Sequence, residues 1–369
     1  MTAAPHLIIA HAAPPPDRTP TTPPLLPRLL QHAVVEASHA GDGWSLTPPH
    51  EHALATALGW PITDGALPWA AWHAQRIGVA CAWLHPCHWQ PSLDHVRIVP
   101  PAALDIRSEE ATALASALAR LAADDGLTLH IETAQRWRLE GAALAHWRGA
   151  SLDRVAHQRA DPWWQRQGAA SADHPAVRAL LRLLTEAQML FADHAANDAR
   201  ARRGQPALNG VWLDGAGVWD GCGPSPAQAD AAVVDLWDGT GPLDDAADWA
   251  AAWARLQTAV LQPWARSAIA APGTPRPLRL TLCGTRGWRR WRLHARTVAE
   301  VAGTVPASRA ASDRGSAADA PDAPAADTAA PMHSAATGPR RSRWLRWWPW
   351  GRADATDDPT DPLPWWSEL

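Results

Sequence analysis

Strand-length apolar runs alternate with helix-length periodicities over the first 300 residues, and this alternation favours an α/β fold with a central sheet flanked by helices. His6 to Ala10 (HLIIA) reads as a short buried strand, and PPLLPRLLQHAVV supplies a following helix. In SLTPPHEHALATALGWP, Thr47 is placed to cap a helix whose first turn holds Pro48 and Pro49. ACAWLHPCHWQPSLDHVRIV reads as two strands around a proline-marked turn, and Ser108 to about Ala123 as a helix with Glu109 and Glu110 at its amino end. LTLHIE resumes a strand. A long helix is predicted from near Pro175, because Val177, Leu180, Leu181, Leu184, Gln188 and Phe191 follow a 3.6-residue period, and Gly204 and Pro206 close it. ALNGVWL is then a strand, residues 214–226 a loop, AADWAAAWARLQTAVLQPW an amphipathic helix and RPLRLTLCG the final strand.

With 47% hydrophobic residues in 369, the chain can bury a substantial core. Its 33 basic residues are balanced by 37 acidic ones, a net charge of -4, so no specific nucleic-acid binding is expected. The four cysteines (Cys81, Cys87, Cys222, Cys283) are too scattered for a disulfide framework, and no run of eighteen apolar residues occurs. A cytoplasmic protein with free thiols is the expectation.

Beyond about Val301 the composition turns to Ala, Pro, Asp, Ser and Thr, which cannot bury enough surface to offset chain entropy. The expected organisation is an α/β domain over 1–300 and a disordered tail over 301–369. Within 340–352 of that tail, Arg343 and Arg346 interleave with Trp344, Trp347, Trp348 and Trp350. This composition suits an anionic membrane surface or a protein partner, and equally stacking on single-stranded nucleic acid.

The most chemical stretch is DHAANDARARRGQPALNGVWLDGAG, residues 193–217. Three-residue steps put His194, Asn197 and Arg200 on one side of a helix, where an arginine fork and an amide can share a phosphate or carboxylate. Asn209 follows, and Gly215 and Gly217 allow backbone approach to a ligand at a strand end. The same spacing also fits a structural helix, turn and strand, with the histidine satisfied in the core. Elsewhere, His85, Cys87, His88 and His95 offer soft and imidazole metal ligands, with Cys87 and His88 the nearest to a zinc pair; a strand pair with a buried cysteine explains them equally. His50 and Glu51 offer an acid/base pair, although a carboxylate at a helix amino end needs no chemistry.

The series His194, Asn197, Arg200, Gly204, Asn209, Gly215 and Gly217 resembles a segment of the archaeal-type, 2,3-bisphosphoglycerate-independent phosphoglycerate mutases of the alkaline phosphatase superfamily. SLTPPHEHALATALG, PWAAW, WLHPCHWQPSLDHV, GASLDRV and EAQMLFADHAANDARARRG resemble a proteobacterial family described both as regulatory proteins of the RpfE type and as phosphoglycerate mutases, from the amino terminus to about Leu293. The resemblance implies an alkaline-phosphatase-like α/β fold and a small phosphorylated ligand. It also implies a Ser or Thr nucleophile between two metal ions held by Asp and His at strand ends.

The chain departs from that pattern at two places. The first strand ends Ile9-Ala10-His11 where the family has Asp-Gly, and a late strand ends Cys283-Gly284-Thr285-Arg286 where the family has Asp-His. The expectation is therefore a non-catalytic, regulatory relative without a cofactor, a pseudoenzyme whose ligand residues are His194, Asn197, Arg200, Asn209, Gly215 and Gly217. The alternatives are an active phosphotransferase dependent on a divalent metal such as manganese, and an interaction protein acting through its Arg/Trp tail.

Overall fold

The structure is a computed structural model that describes residues 5–15, 25–156, 158–169, 172–237, 243, 245–270, 278–294 and 297–298. The tail residues Arg343, Trp344, Arg346, Trp347, Trp348 and Trp350 lie outside the described residues.

The elements in chain order begin β1 (His6–Ala10), α1 (Leu25–Leu30), β2 (Val34–Ala40), α2 (Pro49–Leu58), α3 (Trp69–His73), β3 (Ala80–Pro91) and β4 (Val96–Val99). They continue with α4 (Ser108–Asp124), β5 (Thr128–Thr133), β6 (Arg136–Glu140), α5 (Leu152–Val155), α6 (Asp161–Arg166), α7 (Pro175–Ala192), α8 (Ala195–Arg202) and β7 (Gly210–Val218). Last come β8 (Ala231–Asp235), α9 (Ala246–Leu256), α10 (Gln262–Ala270), β9 (Leu278–Cys283) and β10 (Gly287–Leu293).

The fold class is mixed α/β, but two five-stranded sheets replace the single central sheet expected from the alternation. The first runs β2-β10-β9-β1-β8, with β1 parallel to both β8 and β9. Period-two alternation sorts β1: Leu7 and Ile9 face Leu26, Trp249 and Trp253 of α1 and α9, while Ile8 faces Leu54 of α2 on the other side. The second sheet runs β4-β3-β6-β5, with β7 also paired to β3, and its pairings are all antiparallel. Leu114 and Leu118 of α4 and Leu180 and Leu184 of α7 cover it against Leu84, Trp137 and Leu213. Between the sheets, α2 lies on the first and α3 on the second, with Trp69, Trp72, Trp83 and Trp288 in one shared cluster. Both sheets can therefore deliver side chains to the same interior region.

Several sequence expectations change. The 175–204 helix is two helices, because it stops at Asp193 and restarts at Ala195 with the His194 ring as cap. Thr47 does not cap α2; its hydroxyl accepts from the Gly65 amide, while Pro48 occupies the cap position. The 214–226 loop begins later, since β7 continues to Val218. Strands β2 and β10, paired with each other, lie where a helix end and no element were expected.

Candidate functional site

Four side chains from distant parts of the sequence meet where β1 and β8 end. His11 follows β1 with φ 55, a backbone region a non-glycine residue occupies only when its surroundings demand it. Its Nδ1 lies 2.8 Å from Asp235 Oδ1 at the end of β8, and its Nε2 lies 3.3 Å from Asp153 Oδ2 on α5. His50, in the first turn of α2, brings its Nε2 to 3.2 Å from the same Asp153 oxygen. The indole of Trp237 stacks on the His11 ring at 3.8 Å, which fixes the plane of the imidazole. His50 and Asp153 are almost completely buried, and His11 is 9% exposed.

The electrostatics follow from that burial. Loss of solvent opposes a charge on His11, but the carboxylates of Asp153 and Asp235 outweigh it and push its pKa to about 10. Burial holds His50 far below the ordinary histidine range despite Asp153. Beside them, burial raises Glu51 to about 8, against a 2.7 Å hydrogen bond from the Ser151 hydroxyl and with the charges of Asp214 and Asp153 adding to the rise. The Trp69 indole also donates to Glu51. Arg154 is buried and donates to the carbonyls of Thr285 and Thr47, tying the loop after β9 to the start of α2. The cavity bounded by Thr47, Glu51, Trp69, Ser151 and Gly215 is little larger than a water molecule.

A second tier positions α5. Asp214 of β7 accepts the Leu152 amide at 2.6 Å and lies 2.9 Å from the His85 ring of β3, so the turn bearing Asp153 and Arg154 is anchored to the second sheet. Next to Asp214, β7 carries one extra residue against β3, a bulge between the pairs Trp83↔Asp214 and Cys81↔Gly217. Gly215 enters it at φ 60, and a Cβ there would stand 2.8 Å from the Trp83 ring. The Gly-x-Gly of the sequence thus re-aims a strand, and the neighbouring aspartate does the holding.

The expected ligand residues do not converge on one place, since Asn209 stands just before β7 and Gly217 near its far end, and each polar side chain among them is taken up by the protein itself. Arg200 is 0% exposed; it donates to the carbonyls of Leu104 and Pro206 and pairs with Glu110 at 2.7 Å. Asn197 donates to the carbonyls of Phe191 and Leu208 and accepts the Leu208 amide. Asn209 exchanges two hydrogen bonds with the Trp89 backbone, and His194 accepts the Ala196 amide. Gly217 lies against Pro68. The Cys87 thiol donates to the Gly210 carbonyl and burial pushes its pKa up, while His88 donates to the Ala207 carbonyl; each serves the β3–β7 seam.

The His11 cluster escaped sequence reading because its members stand at positions 11, 50, 153 and 235, a spacing no local motif records. The available signals were His11 directly after an apolar strand and His50 at the start of a helix. Both carboxylates arrive from elements other than the strands expected to supply them. The two-metal set implied by the mutase resemblance does not fit: among the described residues, one group of three metal-ligating side chains gathers, His11, His50 and Asp153.

No family model matches the chain, and no curated protein matches it. The solved structures to which the chain is similar include two that follow. One is a cofactor-independent phosphoglycerate mutase from Thermoplasma acidophilum DSM 1728, with 16% identity, a TM-score of 0.31, and coverage of 78% of this chain and 88% of that chain. The other is the PH0037 protein from Pyrococcus horikoshii, with 10% identity, a TM-score of 0.37, and coverage of 81% of this chain and 93% of that chain. Among the described residues, no helix is long and apolar enough to cross a membrane.

Proposed function

We propose that this chain is a phosphoglycerate-mutase-like regulatory protein that binds an ion at the ends of β1 and β8 and does not transfer phosphoryl groups. The observation that carries the reading is the composition of that site. One His/His/Asp group stands there, and the nearby hydroxyls are engaged, Thr47 by the Gly65 amide and Ser151 by Glu51. Phosphoryl transfer through a hydroxyl nucleophile calls for an activated oxygen and a pair of metals about 3.5–4 Å apart.

A turnover assay tests this reading. The full chain, given 3-phosphoglycerate and added manganese, is expected to form no 2-phosphoglycerate. Turnover that Asp153→Asn abolishes would establish the alternative, a working metal-dependent phosphotransferase.

A further inference from the structure

We propose that His11, His50 and Asp153 form a mononuclear, tetrahedral divalent-metal site of the zinc class, with Asp235 orienting His11 and the fourth position left to an exchangeable ligand. The inference deepens the ion-binding part of the proposed function and uses the same site.

Spacing is the first support. Zinc binds histidine nitrogen and carboxylate oxygen at about 2.0–2.2 Å, so neighbouring donors around a tetrahedral ion stand roughly 3.3 Å apart. Asp153 Oδ2 lies 3.3 Å from His11 Nε2 and 3.2 Å from His50 Nε2, and all three ligand atoms fall within 4.8 Å of one another. Two of the three donor separations thus match those around one tetrahedral ion.

The second support is the surrounding shell. A metal-bound imidazole typically gives its other nitrogen to a carboxylate, which fixes the tautomer and the ring plane. His11 has that arrangement, with Nδ1 at 2.8 Å from Asp235 and the ring stacked on Trp237. Asp153 is likewise fixed, because the preceding amide of Leu152 is held by Asp214. The three ligands come from the residue after β1, from α2 and from α5, so a bound ion would lock the first sheet to a turn anchored on the second. Two imidazoles and one carboxylate suit zinc and also ferrous iron, whereas magnesium and calcium prefer all-oxygen sets. The two separations of 3.3 and 3.2 Å from Asp153 Oδ2 suit zinc, and three protein ligands leave one position open.

The test uses the full chain stripped with a chelator and titrated with zinc against a chromophoric competitor. One equivalent is expected to bind, and X-ray absorption at the zinc edge is expected to show four nitrogen and oxygen neighbours and no sulfur. Asp153→Asn and His50→Ala are expected to weaken binding beyond roughly 100-fold, and Asp235→Asn about 10–100-fold. His32→Ala, an exposed surface position, should leave binding unchanged. Absence of stoichiometric zinc, sulfur in the absorption spectrum, or equal affinity in Asp153→Asn would overturn the site. The absorption measurement on the unmodified chain decides the matter if the variants fail to fold. Zinc binding without phosphoglycerate turnover supports both proposals. Failure to bind zinc removes the metal site and the ion-binding part of the proposed function, and turnover by the loaded protein removes its non-catalytic part alone.

Discussion

Arg200 shows how one residue can look like a ligand contact and act as a structural clamp. Its guanidinium reaches Leu104, Pro206 and Glu110 with no exposed surface, and Arg203 adds a second bond to Glu110. Arg200→Ala would leave two carbonyls without their donor and take from the buried Glu110 one of its two guanidinium partners, at a cost of about 3–5 kcal/mol. Urea denaturation should show that loss. An unchanged midpoint would mean that the side chain is free to meet a ligand. The residue types and the three-residue spacing of this corner were legible in the sequence. Its partners were not, because Leu104 and Glu110 lie about 90 positions away and only the packing of α4 on α8 brings them near.

At the level of elements, local pattern located most helices and several strands but misjudged where they end. The 3.6-residue period of α7 runs into Asp193 without interruption in the letters, and the break appears only because His194 adopts extended backbone and caps α8 with its ring. Strand β10, GWRRWRL, escaped notice because its three arginines break up the apolar positions and because both faces are covered, Trp288 on the side of α2 and Trp291 and Leu293 on the side of α1 and α9. The bulge in β7 had a visible glycine but an invisible purpose, to aim Asp214 at the amide before Asp153. Gly215→Ala should cost about 1–3 kcal/mol from its positive φ alone, with the contact to Trp83 adding to it. Thermal melting measures this cost, and a melting temperature equal to that of the unmodified chain would place no strain at the bulge.

At the scale of the whole molecule, an α/β composition was readable while the division into two sheets was not. No local sequence states that β3 pairs with β4, β6 and β7 rather than joining β1. The same division places buried histidines that make stability depend on pH. His6, 2.7 Å from the Thr281 hydroxyl, is held at about 3 by burial and by Arg290 and Arg279, and His73 is held at about 3 by burial and Arg136. Both are neutral when folded and take up a proton near 6.5 when unfolded, so their stabilisation is complete above that pH and declines as pH falls toward 3. Each contributes a slope of up to about 1.4 kcal/mol per pH unit in that window. His6→Gln should lower the difference in unfolding free energy between pH 7.5 and pH 4.5 by that slope integrated over about two pH units, roughly 2–3 kcal/mol, and an identical difference in both proteins would show that folding does not lower the His6 pKa. The proposed function places an ion at the ends of β1 and β8. The most direct measurement is anomalous diffraction at the zinc edge from crystals of the full chain soaked in zinc. A single peak is expected about 2.0–2.2 Å from His11 Nε2, His50 Nε2 and Asp153 Oδ2. A peak at Cys87 and His88, or none between the three ligands, would contradict it.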